Sequence, residues 1–151
     1  MTDTSAKRKK TDESTGFSAE ERAAMKERAA ELRGAKGGKK AEREFQALLD
    51  KFDELDGAER QIAEGVHRIV TEHAPELAGK TWYGMPAYAR DGNVLCFVQP
   101  ASKFNTRYST LGFNDNAQLD DGEIWPSAYA ITQWTPAVQR KVTELIKKAV
   151  G

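Results

Sequence analysis

Large apolar side chains are almost absent from the first forty positions and then recur with two different periods. Besides methionine, residues 1–40 offer only Phe17 and Leu32. From residue 42 onward, Phe45, Leu48, Leu49 and Phe52 follow at i, i+3, i+4 and i+7, which predicts a helix over 42–55. Asp56-Gly57 breaks it, and Asp56 is placed to cap a second helix. That helix carries Ile62, Val66, Ile69, Val70 and His73 on one stripe and ends at Pro75. The pattern then changes to aromatic and β-branched residues, predicting strands over 81–89, 94–99 and 106–113, with 128–132 as a fourth. Asp91-Gly92 between the first two is a hairpin signal, because such turns need positive φ. Pro86 has no N–H for a ladder, so its strand is expected at an edge or at a bulge; an exposed edge there could support dimers, though the proline argues against edge pairing. Thr135 as N-cap and Pro136 at the first turn open a last helix with Val138, Val142, Leu145, Ile146 and Ala149 on one face. Lys147 and Lys148 complement its C-terminal dipole. The expected class is α+β, an antiparallel sheet packed by N- and C-terminal helices.

The first forty residues read differently. Residues 1–16 bury too little apolar surface to offset ordering entropy and are expected to be disordered. Ser18 and Glu21 have capping-box spacing and open a helix over about 18–33, with Gly34 as its stop. Only Met25 and Leu32 mark an apolar face, so this helix is expected to be exposed or loosely docked. The following GAKGGKK reads as a flexible linker, dividing the chain into an extension, 1–40, and a domain, 41–151. The extension holds 11 Lys/Arg against 7 Asp/Glu and the remainder 12 against 16, so opposite charges of +4 and −4 cancel. A formal net charge of zero gives no electrostatic case for nucleic acid, and Lys7-Arg8-Lys9-Lys10 reads as a solvated tail. The single cysteine, Cys96, sits among Val94, Leu95, Phe97 and Val98 and reads as a buried, inert strand thiol. Neither a membrane-spanning run nor a signal peptide is recognisable, and the expected compartment is the cytoplasm.

No phosphate-binding glycine loop, nucleophile elbow or metal-ligand histidine pair is present in the sequence. His67 and His73 lie six apart on a helix and so point in different directions. The chain is therefore expected to bind rather than to catalyse. Its most distinctive feature is an aromatic cluster. Strand alternation through 81–89 would send Trp82, Gly84, Pro86 and Tyr88 to one face, and Tyr83, Met85, Ala87 and Ala89 to the other. Gly84 would permit close approach by a ligand or a backbone. Lys103 and Arg107 are candidate anion anchors beside it. The candidate ligand-binding set is thus Trp82, Tyr83, Gly84, Met85, Pro86 and Tyr88, with Lys103, Arg107 and Trp125. Carboxylates at Asp120, Asp121 and Glu123 form an acidic turn that is the candidate site for a hard cation.

Three blocks, TWYGMPAYAR at 81–90, KFNTRYSTLGF at 103–113 and LDDGEIWPSAY at 119–129, occur in order before the terminal helix. In these blocks the chain from Glu42 to Gly151 resembles the YdhG-like domain family, a domain of unknown function. The resemblance implies a curved antiparallel sheet packed by terminal helices in a frataxin-like sandwich. It also implies the role that some members carry, an intracellular iron chaperone holding iron weakly on surface carboxylates and delivering it to a partner protein. Alongside that role stand two other readings. One is a small-molecule or peptide binding module using the aromatic groove; the other is a protein-interaction module recruited through the N-terminal extension. A monomer or weak homo-oligomer is expected.

Overall fold

The computed structural model describes residues 16–34 and 39–151. The stretch expected to be disordered up to residue 15, the Lys7–Lys10 run and the centre of the GAKGGKK segment lie outside the described residues. Helices α1 (Ala19–Gly34), α2 (Lys40–Asp53) and α3 (Gly57–His73) come first. Strands β1 (Ala78–Trp82), β2 (Met85–Arg90), β3 (Asn93–Gln99), β4 (Ser109–Phe113) and β5 (Ala128–Ile131) follow, and α4 (Pro136–Val150) ends the chain. A single 3₁₀ turn, Ala101–Lys103, lies between β3 and β4. The strands form one open sheet in sequence order, every neighbouring pair antiparallel. The fold is therefore α+β.

The caps read from sequence form with one exception. Ser18 and Glu21 close a reciprocal capping box, each backbone N–H donating to the other's side chain at 3.1 Å. Thr135 Oγ1 accepts from Val138 N–H at 3.2 Å, ahead of Pro136 in the first turn. Asp56 occupies the N-cap of α3 without a side-chain hydrogen bond. Asp91 and Gly92 take φ of 51° and 83° between Arg90 and Asn93, the two-residue hairpin expected there.

One face of the sheet carries Tyr88, Cys96, Val98, Leu111 and Phe113 into a single core with Leu48 and Phe52 of α2, Ile62, Val66 and Val70 of α3, and Val142 and Ile146 of α4. Burial pushes the Cys96 thiol up to about 12, which keeps it protonated. His67 gives the buried Tyr88 hydroxyl a partner in this core. Its Nδ1 lies 2.9 Å from the Tyr88 hydroxyl, and its ring packs between those of Phe45 and Phe52.

The strand expected over 81–89 is in fact two strands. Tyr83 and Gly84 form a two-residue turn, so Trp82 pairs with Met85 and Thr81 with Pro86. This resets the alternation. Trp82 and Tyr88 lie on opposite faces, and the single groove surface expected from Trp82, Gly84, Pro86 and Tyr88 does not form. Nor is Pro86 on an edge, since β2 lies between β1 and β3. In a two-residue hairpin the pair next to the turn is hydrogen-bonded and the following pair is not. Thr81–Pro86 is that following pair, and pairing with β3 begins only at Ala87–Phe97, so the missing N–H costs no ladder bond. The irregularity in β2 falls at Tyr88/Ala89 instead.

Burial lowers the pKa of His67, helped by the Arg68 charge and opposed by Glu64. The unfolded chain regains the ordinary value of about 6.5 and takes up a proton more readily, so stability present above that pH falls as pH drops through the depressed folded value. His67→Gln keeps a partner for Tyr88 and should remove this acid slope. Urea midpoints at about pH 7.5 and about pH 5 measure it; an unchanged slope in the variant would assign acid sensitivity elsewhere.

Candidate functional site

Tyr83 and Gly84 take φ of 53° and 78°, the two positive values that a type I′ hairpin requires. In such a turn the two central N–H groups stand outside the ladder and need another acceptor. Glu31 of α1 supplies it. One carboxylate oxygen accepts from Tyr83 N–H at 3.0 Å and the other from Gly84 N–H at 2.9 Å. Arg28 holds the same carboxylate at 3.4 Å and lies over the Tyr83 ring, 5.7 Å from its centroid.

A second carboxylate lies one helical turn earlier. Glu27 receives Lys51 of α2 at 2.9 Å and Lys103 of the 3₁₀ turn at 3.4 Å. Lys51 also pairs with Glu54 at 3.1 Å. Burial alone would lower the Lys51 pKa, but hydrogen bonds and charge from Glu27 and Glu54 outweigh it and raise the value. Gly84 is required here by its φ. A Cβ on it would also meet the carboxylate of Glu27 and the ammonium of Lys103, flexible ends that would have to shift.

α1 therefore docks through acids. Glu20, which accepts from Asn105 Nδ2 at 3.0 Å, shares one helical face with Ala24, Glu27 and Glu31. Ala24 is the single buried residue of α1, and Met25 and Leu32, the face marked by hydrophobicity, are 45% and 52% exposed. A cleft of about 310 Å³ runs beneath Ala30 and Glu31 against Ala47, Lys51 and Thr81. A smaller one of about 170 Å³ lies between Glu27, Gly84, Pro86, Pro100 and Lys103. Across the edge, on the second face of the sheet, the half-buried Trp82 ring packs on Tyr83 at 5.0 Å and on Phe97 at 5.2 Å. Phe97 lies flat there because Gly112 opposite it has no side chain.

Of the residues named from sequence, Trp82, Tyr83, Gly84 and Lys103 come together. Pro86 is buried but borders the smaller cleft, whereas Met85 is buried beside the turn and Tyr88 faces the core. Arg107 stacks over its neighbour Tyr108 at 5.3 Å and stays outside the Lys103 cluster. Trp125 is exposed just before β5, at the far edge of the sheet from the turn. Asp120, Asp121 and Glu123 are exposed on the segment between β4 and β5. Among the described residues, no three His, Cys, Asp or Glu side chains are grouped to hold a metal ion. The sequence reading missed Glu27, Glu31 and Lys51; their one trace is that Glu20, Glu27 and Glu31 recur at i, i+7 and i+11.

Comparison of the chain with protein-family models, with curated proteins and with solved structures finds no match. Among the described residues, no helix is long and apolar enough to cross a membrane.

Hydrogen bonds to a charged group contribute about 1.5–3 kcal/mol each, and exposed ion pairs about 0–1. Glu31→Gln should therefore release α1 by about 1–3 kcal/mol while the sheet and α2–α4 hold. Hydrogen exchange should accelerate at the Tyr83 and Gly84 amides and along α1, with the core of β2–β4 unchanged. Equal protection in native and variant chains would count against the docking scheme. The raised Lys51 pKa gives a second expectation. Its contribution is complete below the ordinary lysine value of about 10.4 and is lost as pH rises through the higher folded value. On the alkaline side α1 should thus stay docked until strong alkali, which far-UV circular dichroism of native and Lys51→Met chains can follow.

Proposed function

We propose that this protein is a non-enzymatic binding module whose receptor for carboxylate-bearing ligands is the Tyr83–Gly84 turn. One observation carries the reading: two consecutive backbone N–H groups grip the two oxygens of one carboxylate while Lys51 and Lys103 grip the next. Backbone N–H groups that converge in a turn are an anion-binding device, and they recognise the planar carboxylate with one donor per oxygen. The half-buried rings of Trp82 and Tyr83 border the receptor and offer apolar contact to whatever carries the acid. In the native chain the occupant is the acidic face of α1, so the preferred ligand is an acidic helix or peptide presenting Glu at i and i+4. This joins the groove reading to the reading in which the N-terminal extension mediates recruitment.

The receptor turn lies inside the TWYGMPAYAR block that carries the resemblance to the YdhG-like family. We take the chain as a member of that family and its sheet-and-helix arrangement as the family's frataxin-like sandwich. Among the described residues, the iron-chaperone role that the resemblance implies has no comparable convergence of groups behind it, and the carboxylate receptor is the stronger reading.

The test uses the full chain with Glu27→Gln and Glu31→Gln, which empties the receptor of its own acids. A synthetic peptide covering residues 17–34 should then shift the Tyr83 and Gly84 amide resonances and the Trp82 indole signal. The same peptide with its two acids replaced by glutamine should not. The native chain should bind the peptide more weakly than the variant, because a tethered α1 competes at high effective concentration. A variant whose turn amides ignore millimolar peptide would sink the proposal.

A further inference from the structure

The segment from Ile124 to Gln139 holds 16 residues without a single Asp, Glu, Lys or Arg, in a chain that is 30% charged. Most of it is exposed, including Ile124 at 88%. It contains β5, which closes one edge of the sheet and pairs on one side alone, with β4. Among the described residues, no strand pairs with the other side of β5, which is a free edge. Proteins ordinarily guard such an edge with charge, most often lysine, with proline, or with a bulge. Here Pro126 precedes the strand and nothing within Ala128–Ile131 blocks it.

The phase of the β4–β5 ladder shows which groups that edge presents. Phe113 N–H donates to Ser127 O at 2.8 Å, and the register pairs Leu111 with Tyr129 and Ser109 with Ile131. Alternate residues of an antiparallel pair exchange the ladder bonds. Ser127, Tyr129 and Ile131 therefore bond to β4, and the N–H and C=O of Ala128 and Ala130 point away from the sheet. Both side chains are exposed methyl groups on the face opposite the core, so no bulk stands in the way of an incoming strand.

We propose that β5 pairs antiparallel with β5 of a second copy of this chain, joining two five-stranded sheets across a two-fold axis at Ala130. A two-fold axis sets a segment against itself, Ala130 against Ala130 and Ala128 against Thr132. A charged edge would oppose like charges under that symmetry, and this edge has none. The formal net charge of zero likewise leaves no long-range repulsion between copies. A strand from an unrelated acidic or basic partner would find no complementary charge anywhere from Ile124 to Gln139. Exposed Ile124 and Trp125 flank the strand and extend the apolar contact beyond the backbone bonds.

The experiment is sedimentation equilibrium of the full native chain and of Ala130→Lys across a concentration series, with hydrogen exchange at Ala128 and Ala130. Because Ala130 is exposed, the lysine leaves the fold intact, as circular dichroism should verify. The native chain should reach twice the monomer mass as concentration rises and protect both edge amides. Ala130→Lys should weaken association about 10-fold or more, the scale of one like-charge juxtaposition, and lose that protection. A native chain that stays monomeric throughout the series overturns the proposal. So does a variant that dimerises as tightly as the native chain.

Discussion

Two consecutive positive φ angles at Tyr83 and Gly84 set much of what surrounds them. They reverse the chain after Trp82 and so fix the register of the first hairpin. That register puts Pro86 where no ladder donor is needed, sends Tyr88 inward to meet His67, and turns Trp82 outward onto Phe97. A tyrosine with positive φ is uncommon and carries a conformational cost. The contacts that offset it are visible: its N–H is bonded by Glu31, and its ring is held between Arg28 and Trp82. Glycine at the second position is fixed by its positive φ. The same geometry that folds the hairpin leaves two N–H groups facing outward, so the need for an acceptor is created by the turn itself.

This origin gives the molecule two kinds of cohesion. α2, α3 and α4 are held on the sheet by apolar burial, which salt does not screen. α1 buries one alanine and otherwise relies on partly exposed charges, which salt screens over about 10 Å at 0.1 M. The lowest local stability among the helices therefore belongs to α1, the element that fills the receptor. An occupant held in this way can be exchanged without disturbing the core beneath it.

The sequence announced what rests on apolar periodicity or on turn chemistry with a strong residue preference. Helices α2 to α4, the Ser18 and Thr135 caps and the Asp91-Gly92 hairpin belong to this class. The first hairpin did not announce itself, because its first central residue is tyrosine where asparagine or aspartate gives the signal. β1 was blurred for a related reason: Gly79 and Lys80 have weak strand preference, and Gly79 is there so that Leu48 of α2 can approach. The receptor was half legible. Lys103 and Gly84 drew notice as an anion anchor and a point of close approach. Glu27 and Glu31 lie on a helix whose apolar residues, Met25 and Leu32, point elsewhere, so its hydrophobic face does not mark the docking side. Arg107 and Trp125 show the opposite error, since proximity in sequence or kinship in type does not bring side chains to one place.

Charge arithmetic at the turn argues for an anion as its natural complement. Setting α1 aside removes Glu27, Glu31 and Arg28 together. What remains facing the gap is Lys51, Lys103, Arg43, Lys80 and the two N–H groups, against Glu54 and Glu44, which pair with Lys51 and Lys80. Such a surface is a poor host for a metal cation, and a bare apolar ligand would leave its donors unpaired at a cost of about 1–3 kcal/mol each where they are buried. Water or a carboxylate satisfies them, and a carboxylate also meets the lysines. Two acids one helical turn apart match both halves of the receptor at once, which is how the chain's own Glu27 and Glu31 use it.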